Sequence, residues 1–169
     1  MEFNVKSGHP EKQRTACLII GVSQPRKLSR AGIQIDQASN GFLSTIIRRG
    51  DMDGKIGQTT VLHNVAGTLA DRIMLVGCGK ERELNERNFL KVLDSLSQAL
   101  DDIGAMEAYS YLTDLNIKGR DIHWKIRQTV MRMENNRYDF SQLKSIKENG
   151  TKGLRKLVMN VPSRRDLSI

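Results

Sequence analysis

The residues that most invite a chemical reading are Gly77-Cys78-Gly79-Lys80. They follow the apolar run Ile73-Met74-Leu75-Val76 and precede a helical pattern. Glycines between a strand and a helix let backbone N–H groups converge on a phosphate. The spacing argues against that use here. The stretch lacks the Gly-x-x-x-x-Gly-Lys-Ser/Thr order of a P-loop and the third glycine of a dinucleotide fingerprint. Glu81, Glu83 and Glu86 crowd the helix start and would repel an anion. The expectation is a tight strand-to-helix turn with a structural role.

The second candidate is basic. Arg120, Lys125, Arg127 and Arg132 surround Trp124, a set able to meet phosphates and stack on a base. The competing reading is a solvated helix edge. Net charge is +8 and the isoelectric point about 9.7, which permits a nucleic-acid or acidic partner without establishing one. Much of the excess lies late in the sequence. Over residues 141–169, seven Lys and Arg residues face only Glu148 and Asp166. A DNA-binding module using Arg120, Trp124, Lys125, Arg127 and Arg132 is therefore the alternative functional reading.

The remaining groups offer less. Asp51-Met52-Asp53-Gly54 begins like a calcium loop, but the twelfth position is Leu62, which has no carboxylate to give. Asp51/Asp53 and Asp101/Asp102 have no neighbouring His or second acidic cluster to suggest acid/base or metal chemistry. Cys17 and Cys78 sit in apolar runs and read as buried free thiols. His9, His63 and His123 are scattered, and no serine or cysteine sits in a recognisable nucleophile elbow. No catalytic and no metal-binding residue is assigned.

These side chains must be held by a scaffold, and 169 residues suffice for one domain with a substantial core. Hydrophobic residues make up 38% and aromatic ones 5%, so that core must be largely aliphatic. No apolar run approaches the ~18 residues of a membrane span, and the first residues lack a signal-peptide core. A cytoplasmic location without membrane attachment is the expectation. Strands are expected near residues 3–5, 15–22, 58–63, 73–76, 108–112 and 154–161. The run 16–20 is continuously apolar, as in a strand covered on both faces. The short link 64–70 predicts an antiparallel hairpin and hence a mixed sheet. Helices are expected near 28–38, 42–47, 85–103 and 119–133. The clearest is 85–103, where Phe89, Leu93, Leu96, Leu100 and Ile103 form one apolar stripe. Strand, helix, strand order over 73–112 predicts parallel pairing. Asn135-Asn136 is expected to end the last helix, and 141–153 to form a polar loop. The fold class is α/β, a mixed β-sheet flanked by helices.

The sequence from Arg72 through Leu84, Arg-Ile-Met-Leu-Val-Gly-Cys-Gly-Lys-Glu-Arg-Glu-Leu, resembles the N-terminal domain of bacterial leucyl (cytosol) aminopeptidases. So do Met1-Glu2-Phe3 with Lys6-Ser7-Gly8, Gly57-Gln58-Thr59 leading to Leu62-His63, and Asn160-Val161-Pro162 with Arg164-Arg165. The ordered set spans nearly the whole chain. The resemblance implies a fold similar to macro domains and a homo-hexameric parent enzyme that releases N-terminal amino acids from peptides. It also implies two divalent metals, manganese or zinc, in a C-terminal catalytic domain. The family's catalytic signature Asn-Thr-Asp-Ala-Glu-Gly-Arg and its lysine-bearing metal segment are not in this sequence. By this resemblance, residues 1–161 form an accessory domain and 162–169 begin an interdomain linker. The catalytic domain is absent from this chain, which alone should be inactive. Some bacterial relatives also bind DNA, which would give the basic residues a purpose. An ADP-ribose-type pocket is a weaker third reading, from the macro likeness alone, since no pocket motif is legible.

Overall fold

Runs of Ile, Leu and Val that are apolar at every position become strands buried on both faces. The computed structural model shows this at the centre of the sheet; it describes residues 1–147 and 153–168, with side chains for 1–137 and 153–167. In chain order the elements are β1 (Glu2–Lys6), β2 (Leu18–Gln24), β3 (Lys27–Leu28), α1 (Arg30–Ala38), α2 (Phe42–Arg48), β4 (Thr59–His63) and β5 (Arg72–Lys80). They continue with α3 (Glu86–Asp102), β6 (Glu107–Ser110), α4 (Ile122–Lys147) and β7 (Lys156–Asn160). The strands form one sheet in the order β1-β7-β6-β2-β5-β4, with β3 folded back on β2. β1, β7, β6, β2 and β5 run parallel; β4 is antiparallel to β5 and β3 to β2. The sheet is mixed, as the short link before β5 predicts.

Alternation along the central strands divides the core in two. Leu18, Ile20, Ile73 and Leu75 point to one face and pack with Ala31 and Ile35 of α1 and Leu43 and Ile46 of α2. Ile19, Met74, Val76 and Cys78 point to the other and pack with Phe89, Leu93, Leu96 and Leu100 of α3 and Ile126 and Met133 of α4. Register Leu18↔Ile73 through Val22↔Gly77 keeps the two sets separate.

Helix starts are fixed by local side chains. Asn85 accepts a hydrogen bond from the Asn88 N–H at 2.9 Å and caps α3. Ser29 caps α1 through the Gly32 N–H. α2 begins at Gly41, which has no side chain to serve as cap, and Asp36 of α1 supplies one by accepting from the Ser44 N–H at 2.8 Å and from its hydroxyl.

Four expectations are corrected. Gly77-Cys78-Gly79-Lys80 is not a turn: β5 runs through it to Lys80, and the corner is the short 3-10 turn Glu81–Glu83. The glycines are needed for a different reason. A Cβ at Gly77 would fall 1.9 Å from the Lys55 carbonyl oxygen, so the loop before β4 can cross only over glycine. The Gly79 N–H donates to the Gly54 carbonyl at 2.7 Å. Second, α4 does not stop at Asn135-Asn136 but continues to Lys147. Asn136 Nδ2 donates to Asp94 Oδ1 and Ser97 Oγ of α3 at 2.9 and 3.0 Å. Tertiary bonds thus outweigh a helix-propensity penalty of ~0.7 kcal/mol or less. Third, the loop expected over 141–153 is helical as far as Lys147; residues 148–152 lie outside the described residues. Strand β6 is parallel as expected, but it pairs with β2 and β7 rather than with β5.

Candidate functional site

The connections leaving β2 and β6 diverge. After β2 the chain passes through β3 to α1 on one face; after β6 it passes through the 3-10 turn Leu112–Asp114 to α4 on the other. Neighbouring parallel strands with connections on opposite faces leave a crevice beyond their carboxyl ends. A cleft of about 390 Å³ opens there, lined by Gly8, His9, Arg30, Gln34, Tyr111, Asp114, Lys125 and Asn160 among others.

Its walls are held by a hydrogen-bond lattice. Tyr109 and Tyr111, two apart on β6 and just past it, stack with ring centroids 5.1 Å apart. The Tyr111 hydroxyl donates to the Gly8 carbonyl at 2.7 Å, and the Tyr109 hydroxyl to Asn160 Oδ1 at 3.0 Å. Asn160 Oδ1 also accepts from the Gly8 N–H at 3.2 Å, tying the ends of β1, β6 and β7 together. Burial raises the pKa of both tyrosines, keeping them neutral donors.

The charged groups are arranged less comfortably. Burial raises the Asp114 carboxyl above its ordinary value, although Arg30, Lys125 and the Ala31 N–H pull it back. Lys125 is pushed down by burial while Asp114 and Asp121 oppose the shift. Its Nζ donates to the Thr113 and Leu115 carbonyls at 2.7 and 3.0 Å. Perturbed charges converging in a cleft are the physical mark of a candidate site.

The structure scatters the five residues singled out from the sequence. Lys125 turns into the cleft. Arg132 makes a two-pronged ion pair with Asp94, Nε to Oδ1 at 2.7 Å and Nη2 to Oδ2 at 2.8 Å. Arg120 pairs with Glu86 and lies over the Trp124 ring, 5.5 Å from its centroid. Trp124 packs against Phe89 at 5.7 Å, and Arg127 is exposed. The cleft residues Arg30, Gln34, Asp114 and Asn160 escape sequence reasoning because only the strand order brings them together.

Other candidates resolve into scaffold. Gln58 Oε1 accepts from the Asp53, Gly54 and Lys55 N–H groups at 3.2, 3.0 and 3.0 Å, filling the nest that the Asp51-to-Gly54 turn creates. Asp53 itself faces Gln24 Nε2 at 3.1 Å and Arg26. Burial lifts the Cys17 and Cys78 thiols to about 11 and about 12, out of the range of a nucleophilic thiolate at neutral pH. Among the described residues no three His, Cys, Asp or Glu side chains gather as a metal site would require. The two metals implied by the resemblance therefore find no fitting ligand set here, and no step through them is assigned to this chain.

The fold with a mixed, mainly parallel sheet and a cleft at its switch point is that of macro-type α/β domains. A macrodomain variant from Oceanobacillus iheyensis superposes with a TM-score of 0.66 at 13% identity, over 97% of this chain and 86% of that one. A mutant tomato leucine aminopeptidase gives 0.69 at 16% identity, over 96% of this chain and 33% of that one. At such identities the likeness speaks for the fold alone. The family model "Cytosol aminopeptidase family, N-terminal domain" matches residues 19–147, and the chain belongs to that family. A Tolumonas auensis protein named "Probable cytosol aminopeptidase" is 52% identical over 169 residues, covering 100% of this chain and 34% of the relative. The chain thus spans about a third of the length of the curated relatives it matches.

Proposed function

We propose that this chain serves as the non-catalytic N-terminal domain of a leucyl aminopeptidase, a two-metal enzyme that releases N-terminal amino acids from peptides in the cytoplasm. The observation carrying this reading is identity of about half over the whole chain to relatives three times as long. Residues 1–161 make the accessory domain and 162–169 lead toward the catalytic domain, which holds the manganese or zinc ions. The domain's role is to support assembly of the homo-hexamer and to shape access to the active site. Among the described residues no helix is long and apolar enough to cross a membrane.

The pure 169-residue chain, given leucine p-nitroanilide and manganese, should show no turnover. The longer protein should show it, and should sediment as a hexamer. Metal-dependent turnover by the 169-residue chain would sink the reading.

The second reading, DNA binding by the outer face of α4, draws on the net charge of +8 and on exposed Arg127 beside Arg120 and Trp124. With Lys125 and Arg132 committed to other partners and Arg120, just ahead of α4, paired with Glu86, that face depends most on Arg127. Duplex titration at two salt concentrations decides: binding that weakens as salt rises supports it, and no binding at either concentration removes it.

A further inference from the structure

The sheet has two edges, and the fold treats them differently. β1 begins and ends in exposed charges, Glu2 and Lys6, and the 3-10 turn Arg164–Ser168 packs beside it. Charges and a covering segment are how proteins keep an edge strand from pairing. β4, at the opposite edge, is built otherwise. From Gln58 to Val65 the sequence carries no Asp, Glu, Lys, Arg or Pro, in a chain that is 27% charged. Among the described residues no strand lies beyond β4.

The ladder to β5 decides which backbone groups this edge presents. The Gly77 N–H donates to the Gln58 carbonyl at 2.9 Å, and the Asn64 N–H to the Asp71 carbonyl at 3.1 Å. With Thr60 opposite Leu75 and Leu62 opposite Ile73, the even-numbered residues bond to β5. The N–H and C=O groups of Thr59, Val61 and His63 therefore point off the sheet, and Thr59 and His63 are exposed. These residues are self-complementary. Antiparallel pairing about Val61 sets Val61 against itself, Thr59 against His63 and Thr60 against Leu62. It forms about six inter-strand hydrogen bonds and opposes no like charges. Val61 packs with the α3 layer and Leu62 with the layer of α1 and α2, so both core faces continue across the join. We infer that β4 pairs antiparallel with β4 of a second copy of this chain, joining two sheets across a two-fold axis. The same patch is used on both copies, so the contact closes at two. This pairing stands whether or not the domain serves an aminopeptidase, and its failure would leave the turnover result untouched.

Sedimentation of the 169-residue chain over a concentration series tests the inference. A monomer–dimer equilibrium ending at twice 19.1 kDa is expected, with a micromolar to high-micromolar dissociation constant, because one strand pair makes a small interface. Val61→Pro removes only an outward N–H, a place where edge strands accept proline, and should weaken association about tenfold or more. Thr59→Lys with His63→Lys alters only exposed side chains, sets lysines opposite each other in the dimer and should abolish it. Thr59→Lys with His63→Glu sets opposite charges in the same register and should restore it. Amide exchange should slow at Thr59, Val61 and His63 as concentration rises, while Thr60 and Leu62 stay protected throughout. A chain that remains monomeric up to millimolar concentration overturns the inference. So does a dimer that neither Val61→Pro nor the double lysine variant weakens, a Lys/Glu variant as monomeric as the double lysine one, or exchange that slows elsewhere but not on β4.

Discussion

Asp94 on α3 and Asp114 after β6 are both carboxylates beside cations, yet the fold treats them in opposite ways. Asp94 accepts both prongs of Arg132 and a third bond from Asn136; these bonds hold its carboxyl below the ordinary aspartate value. Asp114 has Arg30 and Lys125 near it, but burial wins and its carboxyl is raised. The first charge is favoured by the fold and clamps α4 to α3. The second is tolerated at a cost, at the mouth of a cleft. Partner charges alone do not distinguish a clamp from a site; the balance of hydrogen bonding against desolvation does.

The largest effect should come from the apolar backing of the clamp. Leu96, fully buried beneath α3, should cost about 2–5 kcal/mol on truncation to alanine, read from urea unfolding. A loss well under that range would mean the α3 side is not the rigid one. Asp94→Ala should destabilise by only about 1 kcal/mol, since the pair is partly exposed to screening solvent. A neutral result would reduce the clamp to a surface contact. Carboxyl titration by NMR sharpens the contrast next. Asp94 should titrate below about 3.9 and Asp114 above it. The signs follow by linkage. Asp94's contribution is present above the unfolded value and is lost as pH falls through its lower folded value. Asp114's is present below the unfolded value and is lost as pH rises through its higher one. Identical midpoints for the two would erase the distinction. The smallest effect belongs to Arg127→Ala, which should leave the melting midpoint within the equivalent of about 0.5 kcal/mol. The same variant should weaken duplex binding if α4's outer face meets DNA.

The two regions also differ in how far they could be read in advance. The apolar stripe of α3 and the continuous runs of β2 and β5 follow directly from periodicity, because each element reports its own environment. So does the hairpin that makes the sheet mixed. Gly77 was legible as special but not as to purpose: its constraint is the Lys55 carbonyl, which no local pattern reveals. Asn136 misleads for the same reason, since Asp94 and Ser97 satisfy its side chain from another helix. Of the five basic and aromatic residues, spacing predicts one helix; Arg120 falls just ahead of α4, and rotation about that helix turns Lys125 inward. Arg30 and Gln34 share α1, but Asp114 and Asn160 come from two other segments, and the three segments become neighbours only once the strand order is known.

That order places β1 against β7, with Glu2 facing Lys156 and Lys6 facing Asn160. Almost the whole chain must therefore be closed into a loop before the first strand finds its partner, an entropic demand that slows folding of such topologies. During synthesis β2, β4 and β5 can assemble early. The opening residues remain unpaired until β7 leaves the ribosome. The first segment to be made is the last to be ordered, and the free edge of β6 stays open to mispairing in the interval.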